Sequence, residues 1–506
     1  MKNLTAMVKE KKKEQSNALL IPGGFKPTEE QEKALDLFAS GRNLAIEAGA
    51  GTGKTSTLSL LSQSNRNKGQ YIAFNKAIVE DSKGRMSSNV KCSTAHSLAY
   101  GAIMKDKLYK ERLAGGRQRP ADVAKFLGLQ DFICYVDGHE KVISSEKLSI
   151  ILNNMIYRFC TSADETIWSK HMVQVDGLDG VDPDGGKQYK NHNVLAQILV
   201  PIAQKAWDDI SNPNGTLQFK HEHYLKLWHL SDPVINVDYI LFDEAQDANP
   251  VMYDTVSKQD CQLVFVGDSA QAIYEFTGAV NAMASIPYDN KAHLTKSFRF
   301  GQAVADVANN VLDLLDADLR VVGFDQIESE IVYLDNPNAL LVRSNAGAIS
   351  AIIDGLMAGK KVAYVGNVNE IISFVRACAD LQAGRGTMHP ELMCFSDWNE
   401  VVMYSEMNED DKTLQLMVKL ITQYSAATII SNFKKLVDES RADVVISTAH
   451  KAKGREWDSV QLGRDFGDNL STASEAEQRL MYVAVTRAKR QLDVSNIPHF
   501  DSFYGD

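Results

Sequence analysis

Lys54 and Thr55 close the run AGAGTGKT (residues 48–55), and Asp243 and Glu244 follow the apolar run VDYILF (237–242). An ammonium, a hydroxyl and two carboxylates are the groups that hold a polyphosphate with a divalent cation and steer water at it. The cradle would be Ala48, Gly49, Ala50, Gly51, Thr52 and Gly53. Its glycines let backbone N–H groups converge on phosphate oxygens, and a helix beginning there adds its partial positive charge. Lys54 would then reach the terminal phosphates, and the Thr55 hydroxyl would help hold Mg²⁺. The strict motif has glycine where Ala48 stands.

These groups need a rigid frame. NLAIEA (43–48) reads as a buried strand running into the glycine turn, and VDYILF as a second strand with carboxylates at its C-terminal end. Ligands of open α/β sheets bind at that edge. Asp243 is the expected Mg²⁺ partner through water, and Glu244 the base that orients the attacking water. Alone, Asp-Glu after a strand reads as an acidic helix start; beside a phosphate-binding loop it reads as catalytic. Upstream, FKPTEEQ (25–31) places Gln31 where its amide can offer adenine a donor and an acceptor. Thr28 and Gln31 also spell a helix capping box, and both readings can hold together.

Further motifs carry a family likeness. YIAFNKAI (71–78), CSTAHSLAYG (92–101), HYLKLWHLS (223–231) and ISTAHKAKGREWDSVQL (446–462) join the two motifs above in a fixed order. The chain resembles superfamily 1 helicases of the UvrD/Rep/PcrA type over roughly residues 22–495, and within them the helicase portion of the F-box DNA helicases. No F-box segment is read ahead of the motifs. The resemblance implies two RecA-like domains with ATP and Mg²⁺ between them. In VFVGDSAQAIYEFTGA (264–279), Gln271 would sense the γ-phosphate and Phe276 would stack on a base. LTKSFRF (294–300) would supply Phe298 against adenine and Arg299 as an arginine finger, with Arg487 of EAEQRLMYVAVTRAKRQL (475–492) as a second. Fingers that act only in a shut cleft tie hydrolysis to closure. Glu456 would meet the ribose or Gln271, and His450 and Lys451 would lie near the DNA path. Departures are Thr277-Gly278-Ala279 for Arg-Gly-Ala, Arg455 for a common leucine, and Phe298 for a frequent tyrosine.

A single-strand translocase needs stacking platforms and phosphate contacts. Phe74, His96 and Phe276 are the candidate rings, with Asn75, Lys76, Thr94 and Ser97 as polar contacts. Any of these alone would read as core or scaffold; their place inside the motifs favours DNA. His221, His223 and His229 make no complete metal set and read as core or surface histidines. VDGLDGVDPDGGK (175–187) does not fit a calcium loop and reads as a mobile surface loop.

The fold class expected is α/β: two RecA-like P-loop NTPase domains with parallel sheets, a mainly helical 1B insertion and a reduced 2B insertion. Lys54 and Asp243 stand about 190 residues apart, far more than one or two βαβ steps consume. The first RecA-like domain (1A) is assigned to 22–100 and 231–290, the 1B insertion to 101–230, the second RecA-like domain (2A) to 291–379 and 441–506, the 2B-like insertion to 380–440, and a basic mobile arm to 1–21. EKLSIILNNMIYRF (146–159) and NVLAQILVPIAQKAWDDI (193–210) have helical spacing, while NALLVR (338–343), KVAYVG (361–366) and DVVIST (443–448) read as strands.

Composition bounds the function classes. The 506 residues are 44% hydrophobic, enough for sizeable cores, and the net charge of −11 disfavours a surface that coats nucleic acid while leaving room for a local basic groove. Six scattered cysteines without a Cys-x-x-Cys pair argue against zinc ribbons and disulfide frameworks. No apolar run approaches a bilayer span, and the basic N-terminus is too short in apolar residues for a signal peptide. The expectation is a cytoplasmic protein, nucleoid-associated in a bacterium or nuclear in a eukaryote. It would be an ATP-dependent helicase or translocase moving 3′→5′ on single-stranded DNA and at single/double-strand junctions. It would separate strands or remove bound protein such as a recombinase filament. The alternative is a nucleic-acid-sensing ATPase subunit of a repair or anti-phage defence complex with a separate nuclease partner.

Overall fold

A computed structural model describes residues 26–180, 188–274, 283, 288–408, 411–467 and 469–504. The basic arm and Phe276, with Thr277, Gly278 and Ala279, lie outside the described residues. The chain divides into two compact units. The first comprises residues up to Ile103, Trp228–Glu330 and Ser474–Tyr482; the second comprises Met104–Leu227, Ile331–Ala473 and the remainder from Val483.

The first unit is built on β1 (Leu44–Ala48), β2 (Gly69–Ala73), β3 (Val90–Thr94), β6 (Tyr239–Phe242), β7 (Gln262–Gly267) and β8 (Asn290–Leu294). They form one parallel sheet in the order β3-β2-β6-β7-β1-β8. Every residue of β1, β2 and β6 is buried, so these strands are covered on both faces rather than alternating between core and solvent. Helices Glu29–Ala39, Lys54–Ser64 and Lys76–Lys83 cover the sheet. Ala34, Phe38, Leu58 and Leu61 from these helices pack on Ile46, Tyr71, Leu241 and Val264 from the strands.

The second unit carries the other sheet, in the order β11-β12-β10-β13-β14 with the short β9 (Glu330–Ile331) at its edge. Its strands are β10 (Ala339–Val342), β11 (Val362–Val365), β12 (Val444–Thr448), β13 (Trp457–Leu462) and β14 (Ala488–Asp493), and the first five pair in parallel. Two six-stranded parallel sheets flanked by helices are the RecA-like pair that the motif order implies. Helices Val368–Gln382, Trp398–Met407, Lys412–Gln423 and Ala426–Phe433 build a core on the β11 side around Val375, Phe395, Val401, Ile421 and Phe433.

Residues 104–227 group with this second unit. Helices Ser145–Thr161 and Lys190–Ser211 form where helical spacing is read, and Phe159 meets Trp207 edge to face at 5.2 Å. An antiparallel hairpin, β4 (Phe132–Val136) with β5 (His139–Ile143), interrupts the helices. The acidic stretch after Val175 is an anchor over its described part, not a surface loop: Gly177, Leu178 and Asp179 are buried. Asp179 accepts the N–H groups of Asn191 (2.7 Å) and His192 (2.9 Å), the first turn of the helix Lys190–Ser211. Asp176 accepts from the Tyr404 hydroxyl at 2.9 Å, Lys141 donates to the Gly177 carbonyl at 2.7 Å and pairs with Glu400, and Gly177 lies under the Phe395 ring. Asp179 satisfies backbone donors and Asp176 a buried phenol, so alternating acids and glycines here mark a cap and a close approach rather than solvation. Lys226, of the KLW stretch, is fully buried and donates to the carbonyls of Ser162 and Asp164 while lying 4.5 Å over the Phe159 ring. His223 accepts the Lys220 N–H through Nδ1, and burial depresses its pKa to about 3.

Replacing Asp179 with alanine is expected to remove about 1–2 kcal/mol from the second unit by stranding two helix-start donors. Thermal unfolding followed by circular dichroism would show a lower Tm for Asp179→Ala and partial recovery for Asp179→Asn; equal Tm values would refute the cap.

Candidate nucleotide and nucleic-acid site

The C-terminal edge of the first sheet gathers charge because of strand order. β6, β7 and β1 are neighbours, so the segments leaving them emerge side by side, about 5 Å apart per strand. Gly51 and Gly53 adopt φ of +75° and +81°, the left-handed region that lets the loop fold back over the helix start. Gly53 sits at the N-cap of the helix Lys54–Ser64 and supplies no side chain, which leaves the first-turn amides to a ligand. Thr52 closes the turn, donating from Oγ1 to the Gly49 carbonyl at 2.9 Å, and the Ala50 N–H reaches the Tyr482 hydroxyl at 3.3 Å. Ala48 ends β1 with no exposed surface, so its methyl fits where the strict motif has glycine.

From this helix Lys54 reaches across β7 to Glu244, 3.3 Å away. Burial works against its ammonium, but Glu244, Asp268 and Asp243 outweigh that and raise its pKa. Asp243 is buried, and burial followed by the charge of Glu244 pushes its pKa up to about 6 against the pull of Tyr71 and Lys54. Its Oδ2 lies 3.5 Å from Thr55 Oγ1 and 2.7 Å from the Tyr71 hydroxyl, and its Oδ1 accepts the Glu244 N–H at 3.0 Å. Glu244 itself has φ +52°, a strained conformation for a non-glycine residue and one that turns its carboxylate back over the loop. A hydroxyl and a carboxylate converging beside a lysine are hard oxygen donors of the kind Mg²⁺ takes, so Thr55 and Asp243 fit the ion.

Gln31 is buried and engaged at both ends of its amide. Oε1 accepts the Thr28 N–H at 3.0 Å, completing the capping box, and Nε2 donates to Thr57 at 3.1 Å. Each end keeps one further hydrogen-bonding position. The Phe298 ring, 40% exposed and edge-on to Phe324, shares the space around Gly53 with Gln31. Arg299 lies beside Gly51 and within electrostatic range of Lys54. Gln271 is buried, with its amide donating to Asp268 at 2.6 Å.

Asp268 escapes the sequence reading, which names Gln271 and Phe276 in the same motif. It is fully buried, burial pushes its pKa up to about 6, and Lys54 pulls it back. The available signal is an acid directly after the apolar run LVFVG, the same pattern that exposes Asp243. Gln246 is also missed: its amide donates to the Glu244 carboxylate at 2.6 Å and accepts the Asp268 backbone N–H at 3.1 Å, tying Glu244 to the chain after β7.

The candidate strand contacts lie on neighbouring segments of this unit. Phe74 is exposed by 42% and stacks parallel to Tyr274, with ring centroids 6.2 Å apart and planes within 8°. Tyr274, two residues before Phe276, is the ring the sequence reading passes over. Asn75 caps the helix Lys76–Lys83, accepting the Ile78 N–H at 2.9 Å, and Lys76 is exposed. Thr94 is buried and accepts the Ser97 N–H at 3.1 Å, while His96 is half-buried on the same turn and Ser97 is exposed. His229 pairs with Asp254 at 2.8 Å.

Four candidates belong to the second unit. His450 and Lys451 lie on the short helix Ala449–Ala452 after β12; Lys451 stands 3.5 Å from Glu370 and over the Tyr364 ring. Glu456 is exposed just before β13. Arg487 is 1% exposed, with its guanidinium donating to the Val483 carbonyl, the Arg455 carbonyl and Thr486 Oγ1. Arg455 thus acts through its backbone, while its side chain binds both oxygens of Glu439.

Comparison with known proteins now decides the family. Residues 31–277 match the AAA domain family model, and residues 367–498 match the UvrD-like helicase C-terminal domain. The chain belongs to the UvrD-like helicases. F-box DNA helicase protein 1 of Schizosaccharomyces pombe is 31% identical over 505 aligned residues, covering 89% of this chain and 55% of that protein. F-box DNA helicase 1 of Gallus gallus is 29% identical over 527, covering 95% of this chain and 50% of that protein. The UvrD-like chain therefore spans about half the length of the curated relatives it matches. Among its described residues no helix is long and apolar enough to cross a membrane.

Gly51→Ala is expected to damage the loop twice. A Cβ there would fall 2.6 Å from both Arg299 Cβ and Ser297 Oγ, and the left-handed backbone costs a further 1–2 kcal/mol or so. Equilibrium binding of a fluorescent ATP analogue should weaken by at least about tenfold; unchanged binding would show that the loop does not hold the nucleotide.

Proposed function

We propose that the chain is an ATP-driven DNA motor that hydrolyses ATP in the first unit's site and moves 3′→5′ on single-stranded DNA, separating strands or displacing bound protein. The observation that carries it is the convergence of Lys54, Thr55, Asp243, Glu244 and Asp268 at one sheet edge, with the Phe74–Tyr274 ring wall on the same unit. The names of the relatives support DNA as the substrate.

In this reading the Lys54–Glu244 ion pair is the resting arrangement. A terminal phosphate competes for the ammonium, and Lys54 leaving Glu244 frees a carboxylate to orient water. Gln246 then holds Glu244 from behind. Thr55 and Asp243 would hold Mg²⁺, which when bound neutralises charge on the phosphates. Gln31 and Phe298 would receive adenine. Arg299, Gln271, Glu456 and Arg487 are proposed to respond to the nucleotide's state. On the nucleic-acid side, Phe74 and Tyr274 offer faces on which any base can stack, each contributing roughly 1–3 kcal/mol, so sequence preference should be weak. Lys76, His96, Ser97, His450 and Lys451 are proposed backbone contacts. Asn75 and Thr94 are proposed to act by holding the turns that present them.

The first measurement is ATP hydrolysis with and without a single-stranded oligonucleotide. Stimulation of about 5–150-fold, a coupling of roughly 1–3 kcal/mol, is expected. Turnover that ignores DNA would overturn the motor reading. Lys54→Ala should abolish turnover, and Glu244→Gln should lower kcat by about 10²–10⁴ while nucleotide still binds. Full activity in either variant would overturn the assignment of that residue.

A further inference from the structure

Tyr71 has no part in the mechanism so far, yet it makes the shortest direct contact with the Asp243 carboxylate. Strand register explains how. Tyr71 of β2 is paired with Leu241 of β6, and Asp243 stands two residues past Leu241, on the same face of the sheet. A phenol laid along that face reaches the carboxylate, and Oη donates to Asp243 Oδ2 at 2.7 Å. The Ser82 hydroxyl, on the covering helix Lys76–Lys83, donates to the same phenol oxygen at 3.1 Å. With that lone pair occupied by Ser82, the phenolic proton is committed to Asp243. Tyr71 and Ser82 have no exposed surface, so water does not compete for either bond.

We infer that Tyr71 is a positioning residue for the metal-holding carboxylate of Asp243, and that Ser82 fixes the direction of its proton. The inference rests on the nucleotide-site reading above. Asp243 stands just beyond the end of β6, where its backbone N–H still bonds to the Ile72 carbonyl of β2 at 2.9 Å, so the backbone is held and only the rotation of the carboxylate remains to be set. Its two oxygens are held by different donors: Oδ1 by the Glu244 N–H, and Oδ2 by Tyr71. The rotation of the carboxylate is thereby set before a cation arrives, with Oδ2 turned toward Thr55. Mg²⁺ demands near-ideal octahedral geometry, so a carboxylate or its bound water set a few tenths of an ångström off loses affinity. A tyrosine that merely fills the core would give a different result: its loss would lower stability and leave metal affinity alone.

The test is a titration of Mn²⁺, standing in for Mg²⁺, into the full chain with a non-hydrolysable ATP analogue, read by electron paramagnetic resonance. Tyr71→Phe keeps the ring and removes the donor; it should raise the Mn²⁺ Kd about tenfold. The Mg²⁺ concentration for half-maximal hydrolysis should rise by a similar factor, while affinity for the analogue without metal stays as in wild type. Ser82→Ala, which leaves the phenol in place, should shift the Kd in the same direction by less, and it decides the matter where Tyr71→Phe does not fold. Wild-type Kd values in both variants would overturn the role of Tyr71 alone. A wild-type chain that binds no Mn²⁺ with the analogue would overturn the site reading and this inference together.

Discussion

One largely buried ammonium holds the first unit's site together. Lys54 stands among Glu244, Asp243 and Asp268, two of them with pKa values lifted to about 6. Two buried carboxylates beside a third, partly exposed one cannot be held at one place without a compensating charge, and each needs hydrogen-bond donors for the oxygens the cation does not meet. The surrounding residues answer that need one by one: Tyr71 and the Glu244 N–H at Asp243, Gln246 at Glu244, Gln271 and the Ala270 N–H at Asp268. The cluster is therefore stable only as a set, and the sheet edge around it is specified more tightly than packing alone requires.

Topology makes that set possible. The acids leave β6 and β7, the lysine leaves the loop after β1, and the tyrosine comes from β2, all neighbours in one parallel sheet although the segments are separated by up to about 200 residues of chain. A parallel sheet places every C-terminal strand end on one edge, so residues far apart in sequence arrive together without any loop having to find its own way. The insertion between β3 and β6 can then be long without disturbing the site. Its loop-closure cost grows only slowly with length, and its own core around Phe159 and Trp207 offsets that cost.

What was legible in the sequence follows from the range of the signal. AGAGTGKT is read locally, because the glycines, the lysine and the flanking strand and helix are contiguous. The strands NALLVR, KVAYVG and DVVIST are apolar runs and appear as β10, β11 and β12. The residues that went unread depend on contacts across the sheet. Tyr71 looks like any strand tyrosine until the β2–β6 register places it beside Asp243. Asp268 carries the signal of an acid after an apolar run, but its pairing with Lys54 is tertiary. The β4–β5 hairpin is short and lies between stronger helical patterns. The stretch after Val175 misleads for a related reason: acids and glycines are common in solvated loops, and only the helix start at Asn191 and the ring of Phe395 reveal that here they cap and pack.

Glu244 ties these threads to function. A glutamate at φ +52° is strained. It persists because the Glu244 N–H is bound to Asp243, its carboxylate meets both Lys54 and Gln246, and Gln246 is bound in turn to the backbone after β7. Removing Lys54 from that set takes away one of the holds on the carboxylate and none of the holds on the backbone. A phosphate that draws the lysine off would thus free the side chain without letting the turn relax. The strained backbone and the exchangeable ion pair serve different ends: the first fixes where the carboxylate is, and the second decides when it is available.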